Sequence, residues 1–167
     1  MTPEDFPAVQ ALELAAGQLF RQVGMASIAD DEAFSDAELA GFVAAAQAWV
    51  LTLSTETDDG AVAAYAVGET LDGAAHLEQL SVHPQHARQG LGARLLEFFR
   101  ATARERGESR VTLTTFRDVP WNAPYYARLG FAELPEAAWG PELRAKVAGE
   151  AAHGLDRWPR VVMAAEI

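Results

Sequence analysis

The stretch HLEQLSVHPQHARQGLGARLLEFF, residues 76–99, changes its periodicity half-way along. It starts as a strand, in which alternation puts His76, Glu78, Leu80 and Val82 on one face. From Gly90 onward Leu91, Leu95, Phe98 and Phe99 recur at helical spacing, with arginines elsewhere. Gly90 and Gly92 stand at the junction of loop and helix. There, glycines let backbone N–H groups approach a ligand closely, and the helix dipole favours an anion. A diphosphate fits that description, although an ordinary helix-start turn satisfies Gly-x-Gly equally well. Two rival phosphate motifs are excluded. A Walker A loop needs Gly-Lys-Ser/Thr, and no lysine follows. A dinucleotide fingerprint needs a third small residue where Leu95 stands, and a tight turn directly from the strand. Here seven residues separate Val82 from Gly90.

Upstream, Thr2 caps a helix that begins near Pro3 and carries apolar residues at helical spacing from Val9 to Val23, with Gly24 as its stop. An acid-rich loop, Ala29 to Phe34, leads to Ser35, the cap of a second helix over Asp36 to Gln47. Three strands follow as a meander: Trp49 to Leu53, Ala61 to Glu69 and His76 to Val82. TDDG (Thr57 to Gly60) and LDG (Leu71 to Gly73) supply the turns. Downstream, the spacing predicts a strand over Arg110 to Phe116, a short helix over Trp121 to Leu129 closed by Gly130, and a strand from Phe131. A helix over Pro141 to Ala152 and a last strand over Arg160 to Ala165 complete the chain. There is no repeat, low-complexity tract or linker, so residues 1–167 are expected to form one α+β domain with a mostly antiparallel sheet.

The order of these pieces is more specific than any one of them. Residues 76–99, then a strand, then WNAPYYARLGF (residues 121–131), resemble the GNAT superfamily of acetyltransferases. The resemblance is strongest over about residues 76–131, and the C-terminal tail looks like that of many bacterial members. It implies a GNAT fold and acetyl-coenzyme A as cosubstrate, without metal. In that family the backbone of Leu80, Ser81 and Val82 pairs with the pantetheine arm. The amides of Arg88, Gln89, Gly90, Leu91, Gly92 and Ala93 hold the pyrophosphate, and Asn122 bonds the pantetheine. This chain departs from the pattern twice. Ala87 stands where the family usually has Arg or Gln, and the chain begins almost at its first helix, so the family's first strand is expected to be absent.

Tyr126 lies four residues before Gly130, matching the family's general-acid tyrosine, which protonates the departing coenzyme A sulfur. The proton on the incoming amine needs a base, because at a pKa of about 10.4 only about one alkyl amine in 10³ is nucleophilic at neutral pH. His76 and Glu78 resemble the paired histidines of arylalkylamine N-acetyltransferases, and either could serve. His83, His86 and His153 have no metal-ligand spacing. The chain has no cysteine, so no cysteine acyl-enzyme can form, and direct transfer in a ternary complex is expected. A non-catalytic acyl-coenzyme A-binding module and a protein lysine or N-terminal acetyltransferase remain the alternatives.

Charge points to the acceptor. The net charge of −11 argues against nucleic acid. Residues 1–82 carry fourteen acids and one base, Arg21, whereas residues 83–167 carry ten acids and twelve bases. Coenzyme A, an anion, suits the second half. A small cationic amine suits the first, where Asp30, Asp31, Glu32 and Asp36 crowd one turn, with Trp49, Trp121 or Trp139 as candidate cation–π partners. No apolar run approaches the ~20 residues of a membrane span. The MTPEDF terminus lacks the marks of a secretory signal, which leads to a cytoplasmic expectation. Dimerisation, common in the family, leaves a homodimer as an open expectation.

Overall fold

The computed structural model describes all residues except 56 and 57, and the side chains of all except 55–59. A short turn over Pro3–Asp5 leads into α1 (Phe6–Gly17). Then come α2 (Ala26–Ala29), α3 (Asp36–Ala44), β1 (Ala48–Thr55), β2 (Asp58–Leu71), β3 (Ala74–Val82) and α4 (Leu91–Glu105). The chain continues through β4 (Arg110–Phe116), α5 (Ala123–Arg128), β5 (Ala132–Glu133), α6 (Pro141–Ala152) and β6 (Arg160–Glu166). The six strands follow the order β1-β2-β3-β4-β6-β5. The β3–β4 pair is parallel over Ala75–Leu77 and Val111–Leu113, while the β1–β2, β4–β6 and β5–β6 pairs are antiparallel. No strand precedes α1 among the described residues.

Several boundaries differ from the spacing argument. The first helix passes at Gln18 into a tighter 3₁₀ segment that runs to Val23 and ends on left-handed Gly24, φ 77°. The acidic loop holds a one-turn helix, α2, too short for periodicity to reveal. The turn expected over Thr57 to Gly60 begins outside the described residues, and Asp58 to Gly60 already belong to β2. The turn after Leu71 forms as read: Asp72 and Gly73 both have positive φ, 52° and 78°, the geometry of a two-residue hairpin.

The chain packs as two compact units. Met1–Gly68 with Gln79–Phe99 form the first, and Glu69–Glu78 with Arg100–Ile167 the second. In the first, Phe6, Val9 and Leu12 of α1 and Leu39 of α3 close over Ala48, Tyr65 and Val67. Polar side chains of α1 also tie down the loop before α3. Gln10 Nε2 donates to the Phe34 carbonyl at 3.0 Å and to Asp36 at 2.8 Å, and the Phe34 N–H donates to the Glu13 carboxylate at 3.2 Å. Ser35 caps α3 as read, sharing bonds with Glu38 in both directions.

In the second unit β4 and β6 pair along their full length, and α6 is started by the β2–β3 turn. The Asp72 carboxylate accepts the N–H groups of Glu142 at 3.1 Å and Leu143 at 2.9 Å, while Glu142 accepts the Asp72 N–H. A Cβ on Gly140 would lie 2.2–2.4 Å from that carboxylate. The carboxylate cannot swing aside without breaking the cap. Gly140→Ala and Asp72→Ala should therefore each cost about 1–2 kcal/mol, the worth of a helix cap. The double variant should lose markedly less than their sum, because both remove the same interaction. Urea unfolding of the three variants checks this.

Candidate active site

In the first unit the decisive segment is the loop into α4. Arg88 has φ 62° and Gly90 φ 76°, so two left-handed residues alternate just before the helix begins at Leu91. Left-handed residues alternating along a loop are one way that a backbone gathers N–H groups into an anion-binding nest. The N–H groups of the first helical turn have no intrahelical acceptors and extend it. Leu91 and Gly92 are buried and anchor the turn, whereas Arg88, Gln89 and Gly90 are exposed. No protein atom lies within 4 Å of where a Gly90 Cβ would stand, so that side is open to a ligand. Arg88 and Arg94 are exposed and carry no ion pair among the described residues, leaving two cations free beside the nest. The first unit thus offers a diphosphate both backbone donors and charge. Val82 and buried Ser81 close β3 just upstream, and Gln79 Nε2 donates to Ser81 Oγ at 3.0 Å.

The second unit holds the remaining expected residues. Tyr126 is buried on α5, edge-on to Tyr125 and Phe131 at centroid distances of 5.5 and 5.6 Å. Arg100 positions α5 by donating to the Leu129 carbonyl at 2.7 Å and covering the Phe131 ring at 4.9 Å. Burial pushes the Tyr126 hydroxyl well above the usual phenol range, and Tyr125 adds to it, so the group keeps its proton. Asn122 precedes the helix. Its Nδ2 donates to Thr115 at 2.8 Å, while its Oδ1 is buried without a hydrogen-bond partner. An orphaned buried carbonyl is costly to leave unpaired, by about 1–3 kcal/mol. An amide N–H of a pantetheine arm would satisfy it, so these residues fit coenzyme A.

The two base candidates lie in a charged layer that the sequence did not reveal. His76 is fully buried, its Nδ1 2.9 Å from Thr112 Oγ1 and its Nε2 without a partner. Burial, followed by the charges of Lys146 and Arg160, lowers its pKa to about 3. The neutral imidazole is therefore the favoured form. Glu78 meets Lys146, the chain's sole lysine, at 2.5 Å, and Lys146 also reaches Glu69 at 2.9 Å. Burial raises the Glu78 carboxyl despite that ion pair. Beside them Arg160 joins Glu150 at 2.6 Å, and its guanidinium lies 4.8 Å from the Phe116 ring centre. Alternation on the strand was legible. That α6 lays a lysine on this face was not.

A family model described as the acetyltransferase (GNAT) family matches residues 19–131. The chain belongs to the GNAT acetyltransferase family. Solved structures share its fold. Ard1 from Thermoplasma volcanium aligns at 17% identity and TM-score 0.67 over 100% of this chain and 94% of its own. The PaiA N-acetyltransferase from Thermoplasma acidophilum, solved in complex with coenzyme A, aligns at 12% and 0.68 over 100% and 96%. The ribosomal-protein-S18-alanine N-acetyltransferase from Escherichia coli aligns at 21% and 0.60 over 100% and 90%. Against the family pattern, the position vacated by Ala87 is flanked by exposed Arg88, which brings a guanidinium to the loop from the neighbouring residue. Among the described residues no cluster of His, Asp and Glu is arranged to hold a metal ion, and no helix is long and apolar enough to cross a membrane.

Sequence reasoning missed Glu13, Tyr65, Gln79 and Lys146 as parts of polar clusters. Glu13 left a faint signal, since it lies four residues after buried Val9 on the inward stripe of α1.

His76 generates a stability prediction with a defined sign. Its folded pKa, about 3, lies below the unfolded value of 6.5, so the unfolded chain binds the extra proton between those limits. Stability attributable to His76 is complete above pH 6.5 and is lost as pH falls toward 3, at up to about 1.4 kcal/mol per pH unit. Glu78, with its raised pKa, works in the opposite direction. The difference between the wild type and His76→Gln in urea unfolding across pH 4–7 isolates the histidine. A difference independent of pH would mean His76 is not buried neutral.

Proposed function

We propose that this protein transfers the acetyl group of acetyl-coenzyme A to a small cationic primary amine, by direct attack with both substrates bound. The observation that carries this reading is the left-handed Arg88–Gly90 loop leading into α4, with two guanidiniums beside it that have no ion pair among the described residues. Membership of an acetyltransferase family supports the same reaction class. Acetyl-coenzyme A supplies the activated thioester. The amides from Arg88 to Ala93 hold its diphosphate, Asn122 Oδ1 accepts from the pantetheine arm, and the Leu80 to Val82 backbone aligns the arm. An N–H near Val82 receives the charge that develops on the thioester oxygen.

Acid and base follow from the protonation states. Tyr126 keeps its hydroxyl proton at any working pH and gives it, or a strong hydrogen bond, to the leaving sulfur. His76, near pKa 3 and enclosed, is too weak a base. Glu78, raised by burial, is assigned as proton acceptor, with Lys146 holding its carboxylate in place.

Calorimetry should detect acetyl-coenzyme A binding at micromolar to millimolar concentration, and its absence would remove the reading. Gly90→Val should abolish binding, because a β-branched residue resists φ 76° and fills the open side. Arg88→Ala should only weaken it. Tyr126→Phe should lower kcat by ~10²-fold with the cofactor Kd unchanged. A drop smaller than about threefold counts against the acid role. Glu78→Gln should flatten the acidic limb of the pH–rate profile, and an unchanged limb clears Glu78.

A further inference from the structure

The second unit holds a cavity of about 240 Å³ between the end of α6 and the strands β4 and β6, and none of its lining residues is assigned to acetyl transfer. Its floor is an ion pair. Arg160 donates through Nη2 to Glu150 at 2.6 Å and to Thr114 at 3.0 Å, and the Thr114 hydroxyl donates to the other Glu150 oxygen. Both charged side chains are mostly buried. The remaining nitrogens of Arg160, Nε and Nη1, have no hydrogen-bond partner among the described residues, and neither is sealed from open space. Each Glu150 oxygen accepts one bond and keeps a lone pair for another donor.

The walls are apolar. Leu134, Val161 and the Trp139 ring line them, and the indole is held in place by donating to the Leu134 carbonyl at 2.9 Å. Arg117 and Glu133, exposed and paired at 3.0 Å, stand at the rim. With Glu136, the lining carries two arginines and three glutamates. A lone anion entering this cavity meets the Glu150 carboxylate, and a lone cation meets the Arg160 guanidinium. A zwitterion meets its complement in both. Its carboxylate takes the uncommitted N–H groups of Arg160, and its ammonium donates to Glu150. An aliphatic side chain then leaves water against the walls. The volume falls below the ~300–1,000 Å³ that houses drug-sized ligands, so the fit is to a free amino acid rather than a peptide.

We infer that this cavity is a binding site for a zwitterionic α-amino acid with an aliphatic side chain, its carboxylate on Arg160 and its ammonium on Glu150. The site goes beyond the proposed acetyl transfer and does not depend on it.

Calorimetry on the protein without acetyl-coenzyme A tests this with three probes. They are L-leucine, 4-methylpentanoate, which lacks the ammonium, and 3-methylbutylamine, which lacks the carboxylate. Leucine should bind at least tenfold more tightly than either. Leu134→Trp places an indole in the cavity and leaves the floor charges intact. With its fold checked by circular dichroism, it should abolish leucine binding. The binding that counts is the part this variant removes, which separates the cavity from an amine held at the acceptor site. Glu150→Gln should weaken leucine at least tenfold without weakening 4-methylpentanoate. The inference is overturned if leucine fails to bind at millimolar concentration, if either singly charged analogue occupies the cavity as tightly, or if folded Leu134→Trp binds leucine as the wild type does. Loss of acetyl-coenzyme A binding would remove the proposed reaction and leave this result standing.

Discussion

A carboxylate at a hairpin turn, Asp72, determines where α6 begins, and the buried charges of the second unit depend on that register. Because Asp72 takes the N–H groups of Glu142 and Leu143, Lys146 arrives one turn later between Glu69 and Glu78, and Glu150 reaches Arg160 and Thr114. A shift of one residue would rotate the helix by about 100° and carry both side chains off the strands. Charges buried this way are costly when left single, by about 3–5 kcal/mol. The cap therefore stabilises more than a helix end. It also decides that His76 is enclosed and neutral and that Glu78 has a cationic partner.

Much of the fold was legible in the chain. The bounds of β4 and α6 agree with the spacing argument, Ser35 and Gly24 act as cap and stop, and Asp72-Gly73 turns as expected. These are local signals, governed by backbone dihedrals and by caps within three or four residues. The short helix α2 and the extension of β2 back to Asp58 escaped because neither shows a full period of its element.

The site was legible only where backbone geometry carries it. Gly90 announces a left-handed turn ahead of a helix, and the backbone has that turn at Arg88 and Gly90. The surroundings of His76 and Glu78 depend on residues distant in the chain, Thr112 lying 36 residues beyond His76 and Lys146 lying 68 beyond Glu78, rather than on the strand itself. The charge asymmetry singled out residues 1–82, yet the acids that produce it at the Asp30 turn are mostly engaged with neighbours.

The left-handed backbone at Arg88 carries a cost. A non-glycine residue at φ 62° stores about 1 kcal/mol of strain that glycine would relieve. Stability alone would thus favour glycine at this position. Glycine there would relieve the strain and at the same time take an exposed guanidinium off the loop, so conformational ease and surface charge pull this position in opposite directions.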